Sequence, residues 1–167
     1  MAEKDTVYSS KVKYKGVFNF SEFYKFCHQW LSEEAGLDLS EGEYSEKISG
    51  TVKDLVVKWQ GDKKISDYFK FEIKVEFKIV AMSETEINVG GTKVKTNKGD
   101  VTVGVKGVLS KDYDGKFESS PKMKIWRGIY EKWIISGRVK EFEDKLAGTC
   151  DEFISQAKAF LDLEGRK

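Results

Sequence analysis

From Phe69 to Ala81 apolar and charged positions alternate along the chain. Phe69, Phe71, Ile73, Val75, Phe77, Ile79 and Ala81 fall on one side, and Lys70, Glu72, Lys74, Glu76 and Lys78 on the other, with Val80 the one slip. Side chains of a strand point to opposite faces in turn, so this pattern predicts a long strand with one dry and one wet face. A wet face predicts an antiparallel sheet, because parallel strands are covered on both sides. A helix would scatter the same phenylalanines around its whole cylinder.

The rest of the chain supplies neighbours for that strand. Val12, Tyr14 and Phe18 alternate with Lys11, Lys13 and Lys15, which predicts a first strand within residues 6–18. The period then changes. Phe20, Phe23, Tyr24, Cys27, Trp30 and Leu31 recur at three- and four-residue spacing, predicting a helix over 20–36 with Asn19 or Ser21 as its cap and Gly36 at its end. With Phe26 the apolar arc covers nearly half the cylinder, as suits a helix wedged against a sheet. Antiparallel strands are expected over 43–118. Within Tyr44–Trp59 the phase slips between Ile48, Gly50, Val52 and Leu55, Val57, Trp59, which predicts a β-bulge or break near Asp54. Gln60–Lys64 reads as a polar turn, Ser83-Glu84 as a short turn, and Gly90-Gly91 as a bend or close backbone approach. Asn97-Lys98-Gly99-Asp100 reads as a hairpin turn, followed by alternation from Val101 to Leu109; Asp112–Gly115 closes the sheet region, with Phe117 in a last short strand.

Pro121 marks the start of a helical C-terminal region over 122–163. Trp126, Ile129, Tyr130, Trp133 and Ile134 form one stripe, and Val139, Phe142, Leu146, Cys150, Phe153, Ala157, Phe160 and Leu161 a second. At about 100° per residue the two stripes point in different directions, so a break at Ser136-Gly137 is expected. The whole pattern describes one α+β domain over 1–167. It has a curved antiparallel sheet of about five to seven strands, a helix after the first strand, and a long or broken C-terminal helix packed on the sheet.

Composition changes this picture little. Charged residues are 34%, hydrophobic residues 40% and aromatics 13%, so the interior is bulky. A formal net charge of +1 gives the whole molecule no bias toward nucleic acid or anionic lipid, leaving only a local basic patch open, and nucleic acid is not an expected partner. No apolar run reaches the roughly 20 residues that cross a bilayer, and Met1–Asp5 lacks the apolar core of a signal peptide; a cytoplasmic location is expected. In that compartment Cys27 and Cys150 are expected as buried, reduced thiols. Abundant Lys and Glu beside sparse Asn and Gln lean toward a heat-adapted source.

Candidate chemistry is sparse. His28 is the only histidine and the two cysteines are far apart, so no metal site and no cofactor are expected, and a Ser or Cys triad has only that one base to draw on. Gly90-Gly91-Thr92 and Gly104–Gly107 do not lead from a strand into a helix, as a phosphate cradle requires. No catalytic residue is assigned. Asp54 interrupts an apolar stretch and is the candidate buried acid; inside a cavity desolvation would raise its pKa, whereas on a bulge it would point outward. Lys124, Trp126, Arg127 and Trp133 interleave cations with aromatics and form a candidate interaction surface.

Strand, helical segment, antiparallel strands, long C-terminal helix: from Val7 to Leu161 this order resembles the START/polyketide-cyclase-like (SRPBCC, helix-grip) superfamily. The resemblance is one of element order. It implies a curved sheet wrapped around the final helix, with an apolar ligand cavity between the two. Three functional expectations follow. The first is non-enzymatic binding of a small hydrophobic or lipid-like ligand, with Tyr14, Trp59, Phe71, Phe77, Val103, Tyr130 and Phe142 lining the cavity. The second is an interaction module with a filled core that docks through Trp126–Trp133 to a protein or a membrane surface. The third is a cyclase- or dehydratase-like enzyme using Asp54 or a tyrosine.

Overall fold

The computed structural model describes residues 3–66, 68–111, 125 and 136–165. Among them five strands form one antiparallel sheet: β1 (Glu3–Phe18), β2 (Asp38–Ser49), β3 (Val52–Lys64), β4 (Phe69–Val89) and β5 (Thr92–Lys111), in the order β1-β5-β4-β3-β2. Helix α1 (Phe20–Gln29) follows β1 and runs into a π-helical turn, Trp30–Glu34; helix α2 (Ser136–Glu164) follows the sheet. The α+β class, the antiparallel sheet and both helix placements are as the hydrophobic pattern predicts.

β4 lies at the centre, and its alternation is the reason. Phe69, Phe71, Ile73, Val75, Phe77 and Ile79 are all buried, facing the helices on what we call the inner face, while Lys74, Glu76 and Lys78 stand exposed on the outer face. Ala81, expected on the dry side, is exposed instead, and Met82 is buried in its place. The cause is a double irregularity. The β3–β4 register shifts between Lys53 and Leu55, and the β4–β5 register between Val80 and Ser83. Ala81 sits there at φ 55°, and its N–H donates to Asp54 Oδ1 at 2.9 Å. The bulge expected near Asp54 is present.

Several turns fall elsewhere than the local signals suggest. Residues 44–59 are two strands, not one: β2 and β3 form a hairpin with Ser49 opposite Val52 and Gly50 at φ 63°. Gln60–Lys64 completes β3, and the reversal lies beyond it, where Ser66 Oγ accepts from the N–H groups of Tyr68 and Phe69. β4 passes straight through Ser83-Glu84, and β5 passes straight through Asn97–Asp100. The hairpin joining them turns at Gly90-Gly91, both at positive φ (59° and 84°), which a tight two-residue reversal requires. Gly99 serves a different need: a Cβ there would lie 3.0 Å from Met82 Cα, against the bulged strand. The expected turn at Asp112–Gly115, the strand at Phe117 and the first helical stripe around Trp126–Ile134 lie outside the described residues, and α2 is described from Ser136, where the break was expected.

The helices close the inner face. Asn19 caps α1 by accepting from Glu22 N–H, and Asn97 of β5 accepts from Phe20 N–H, which pins the helix start to the sheet. The Ala35 N–H bonds Trp30 O across the π turn, and Gly36 at φ 70° ends the segment. Aromatic rings fill the layer between: Phe23 meets Phe77 and Phe160 with centroids 5.8 and 5.6 Å apart, and Trp59 meets Phe77 at 4.8 Å. Along α2, Leu146, Cys150, Phe153, Ala157 and Leu161 are buried, the second predicted stripe, while Phe142 and Phe160 are half-buried. Both cysteines are free and buried. Among the described residues no helix is long and apolar enough to cross a membrane.

Candidate functional site

The expected cavity residues divide into separate groups. Trp59, Phe71, Phe77 and Val103 are buried on the inner face, and Phe142 packs on Phe69 and Phe71 at 5.0 and 6.4 Å. Tyr14 stands apart on β1, donating to Val17 O at 2.7 Å beside Phe18. Tyr130 and the interaction-surface residues Lys124, Trp126, Arg127 and Trp133 lie outside the described residues. Where Trp59 reaches the β2 edge its Nε1–H donates to Glu41 Oε1 at 3.2 Å, and the Tyr24 hydroxyl donates to the same oxygen at 2.7 Å. Burial, reinforced by that carboxylate, pushes the Tyr24 pKa up to about 12, so the phenol is a fixed donor at neutral pH. His28 lies edge-on to Trp59 at 5.5 Å, a packing contact.

Asp54 is exposed, not buried as its candidate role required. Bonded to the Ala81 N–H, it caps the bulge, and the local twist turns its side chain out to solvent. Among the described residues no group of three or more His, Cys, Asp or Glu side chains could hold a metal ion.

The outer face is where unpaired charge collects. Strand register brings lysines from four strands together: Lys11 of β1, Lys106 of β5, Lys74 and Lys78 of β4, and Lys58 of β3. They surround a depression of about 600 Å³, with Ser9, Gln60, Thr102 and a single acid, Glu76, between them. Gly104 forms the floor: it stands opposite Lys11 on one side and Glu76 on the other and carries no side chain to fill the space. An adjoining depression of about 490 Å³ is lined by Lys13, Lys15, Lys78, Val80 and Asp100.

Two features separate this trough from an ordinary solvated sheet face. Lys74 and Lys106 are directly opposite each other on β4 and β5. Like charges directly opposite across a strand pair disfavour the fold to some extent. Lys58 pairs with Glu43 at 3.3 Å, but Lys11, Lys74, Lys78 and Lys106 have no ion-pair partner among the described residues. At the far end of the same face, by contrast, a carboxylate is shared between two cations: Glu72, 3% exposed, holds Lys4 at 3.2 Å and Lys70 at 3.4 Å. Lysine ammoniums are compact point charges suited to phosphate oxygens. No aromatic side chain stands on the outer face of the described strands, so those strands offer a base no platform on which to stack.

The lysines of β1 and β4 are visible in the sequence as a wet strand face, but their convergence depends on register. No protein-family model, curated protein or solved structure matches the chain.

Proposed function

We propose that this protein is a non-enzymatic binding module with a filled core, which takes a polyanionic partner on the outer face of its sheet. The observation that carries this is the Lys74–Lys106 pair at the heart of the trough: two lysines at directly opposed positions of β4 and β5, with no ion-pair partner among the described residues, whose mutual repulsion an anion between them would relieve. A fold tolerates a local conflict of this kind where binding requires it. The ring-on-ring packing of Phe23, Trp59, Phe77 and Phe160 supports a filled interior. With five lysines against one glutamate, the trough matches a ligand carrying several negative charges.

Fluorescence anisotropy with labelled inorganic polyphosphate tests this. Affinity falls as salt rises, since each phosphate contact releases a counterion. Replacing Lys74 and Lys106 by Gln lowers affinity at least tenfold and flattens the salt slope, while thermal stability at low salt stays equal or rises, because a repulsion has been removed. Unchanged affinity in that variant would overturn the assignment.

A further inference from the structure

The lysine face does not end at the trough. β3 leaves β4 at Lys53 opposite Met82, and β1 leaves β5 at Phe18 opposite Asn97. Beyond those points β4 and β5 continue without a third strand among the described residues, from Glu84 opposite Asn97 to Val89 opposite Thr92, as a two-stranded arm. Cross-strand partners share a face, so Thr85 and Thr96, Ile87 and Val94, and Val89 and Thr92 form one side of the arm, all of them β-branched. The other side carries Glu84, Glu86, Lys93 and Lys95, whose charges cancel.

Along β5 the β-branched side is the continuation of the lysine face, because Thr92, Val94 and Thr96 share the parity of Thr102, Gly104 and Lys106 in an unbroken strand. Val80, on the same face where the arm begins, is 41% exposed, and Val94 and Val89 toward the tip are 41% and 43% exposed. The tip, Gly90-Gly91, has open space where side chains would be. Thr96 at the base of this side is buried and Thr85 and Ile87 are half-buried, so its apolar exposure is concentrated at Val89 and Val94 by the tip; a hairpin end that leaves apolar side chains in water gains stability by placing them elsewhere.

We infer that the polyanionic partner is the surface of an anionic lipid bilayer, with the trough lysines against the headgroups and the valine side of the arm in the interfacial layer. The inference rests on the polyanion reading of the trough and adds the arm to it. Charge selects the partner: basic residues beside an apolar projection match a surface that is negative outside and apolar just beneath. A soluble polyanion uses the lysines and has nothing to offer Val89 and Val94.

That difference sets the experiment. The full chain is sedimented at low salt with vesicles of phosphatidylcholine alone and of mixed phosphatidylserine and phosphatidylcholine, and its binding to inorganic polyphosphate and to duplex DNA is measured in parallel. Two variants are compared, Lys74→Gln/Lys106→Gln and Val89→Thr/Val94→Thr; the second keeps β-branching and removes only apolar contact. The wild type is expected to pellet with the mixed vesicles and not with phosphatidylcholine. The lysine variant loses about twentyfold or more of that binding, at roughly fivefold per cation near an anionic surface. The valine variant loses several-fold on vesicles and nothing on polyphosphate. Wild type that binds polyphosphate yet leaves both vesicle types in solution overturns the membrane inference and leaves the trough assignment standing. The same holds if duplex DNA is bound tightly and vesicles are not, in which case nucleic acid is the partner. Vesicle binding equal in wild type and valine variant removes the arm from the interface, and an absence of binding to every anionic probe sinks both readings.

Discussion

At Gly107 of β5 side chains of α2 press directly on the sheet, and the consequence of adding one methyl group there can be worked out. A Cβ at this position would lie 2.8 Å from Cys150 Sγ and 3.3 Å from Leu146 Cγ, inside the roughly 3.5–4.0 Å of ordinary carbon contact. Both partners are fully buried, so neither can swing aside into solvent. Overpacking of this kind costs about 1–3 kcal/mol. Against it stands the smaller unfolded-state entropy of alanine, worth about 0.4–1 kcal/mol where the backbone tolerates it. Gly107→Ala is therefore expected to destabilise the fold by about 1–2 kcal/mol, a drop of roughly 2–4 °C in Tm for each kcal/mol in a chain of this size. Cys150→Ala alone leaves a small void and costs about 1 kcal/mol. In the double variant the new methyl group occupies the space the sulfur left, so the two losses should partly cancel, with a coupling of about 1 kcal/mol. Urea unfolding followed by tryptophan fluorescence, run as a double-mutant cycle, measures this. Losses that add within about 0.5 kcal/mol would show that α2 does not rest on Gly107 through Cys150.

Two further outcomes follow from the same packing. Asp54→Ala removes the acceptor of the Ala81 N–H and should cost about 1 kcal/mol, with faster hydrogen exchange at that amide and substantial recovery in Asp54→Asn; an unchanged exchange rate would refute the capping role. Burial pushes the Cys150 thiol from 9.0 up to about 12 and raises the Cys27 thiol well above its ordinary value, so between those limits the unfolded chain releases protons that the native chain keeps. Stability present in full below pH 9.0 is then lost as pH rises toward the folded-state pKa, and Tm under reducing conditions should fall across that window, less steeply in Cys150→Ala; a Tm indifferent to alkali would contradict thiol burial.

The part of the fold legible in the sequence was the part written in strict periodicity. β4 announces itself because Phe69 to Ile79 alternate without exception, and α1 with its π-helical extension because Phe23, Cys27 and Leu31 keep helical spacing. Turns were less legible because glycine has more than one use. Gly99 beside Asp100 imitates a hairpin, yet it is there because Met82 presses on it across the bulge, while the true reversal at Gly90-Gly91 resembles a local bend. The candidate site depended on that distinction. The expected turn at Ser83-Glu84 would have set Lys74 against Lys93; only the turn at Gly90-Gly91, corrected by the Ala81 bulge, sets it against Lys106. The lysines themselves were plain, and their meeting was a matter of register. Asp54 was located as a bulge residue, and its direction followed from the Ala81 amide it serves.

The sheet order has a consequence for how the chain acquires its structure in time. β2, β3, β4 and β5 are joined by short reversals and can zip in sequence, but among the described strands β1, the first of them, pairs only with β5, the last. During synthesis β1 waits while four other strands emerge, and refolding carries the loop-closure penalty of its longest-range pairing, which slows topologies of this kind. Throughout that wait β1 is a free strand with apolar residues on one side, the form most prone to pair with the wrong chain. Lys11, Lys13 and Lys15 on its other side discourage such pairing by repulsion, so Lys11, one of the cations proposed to hold a partner in the finished protein, also helps guard this strand before there is a protein to finish.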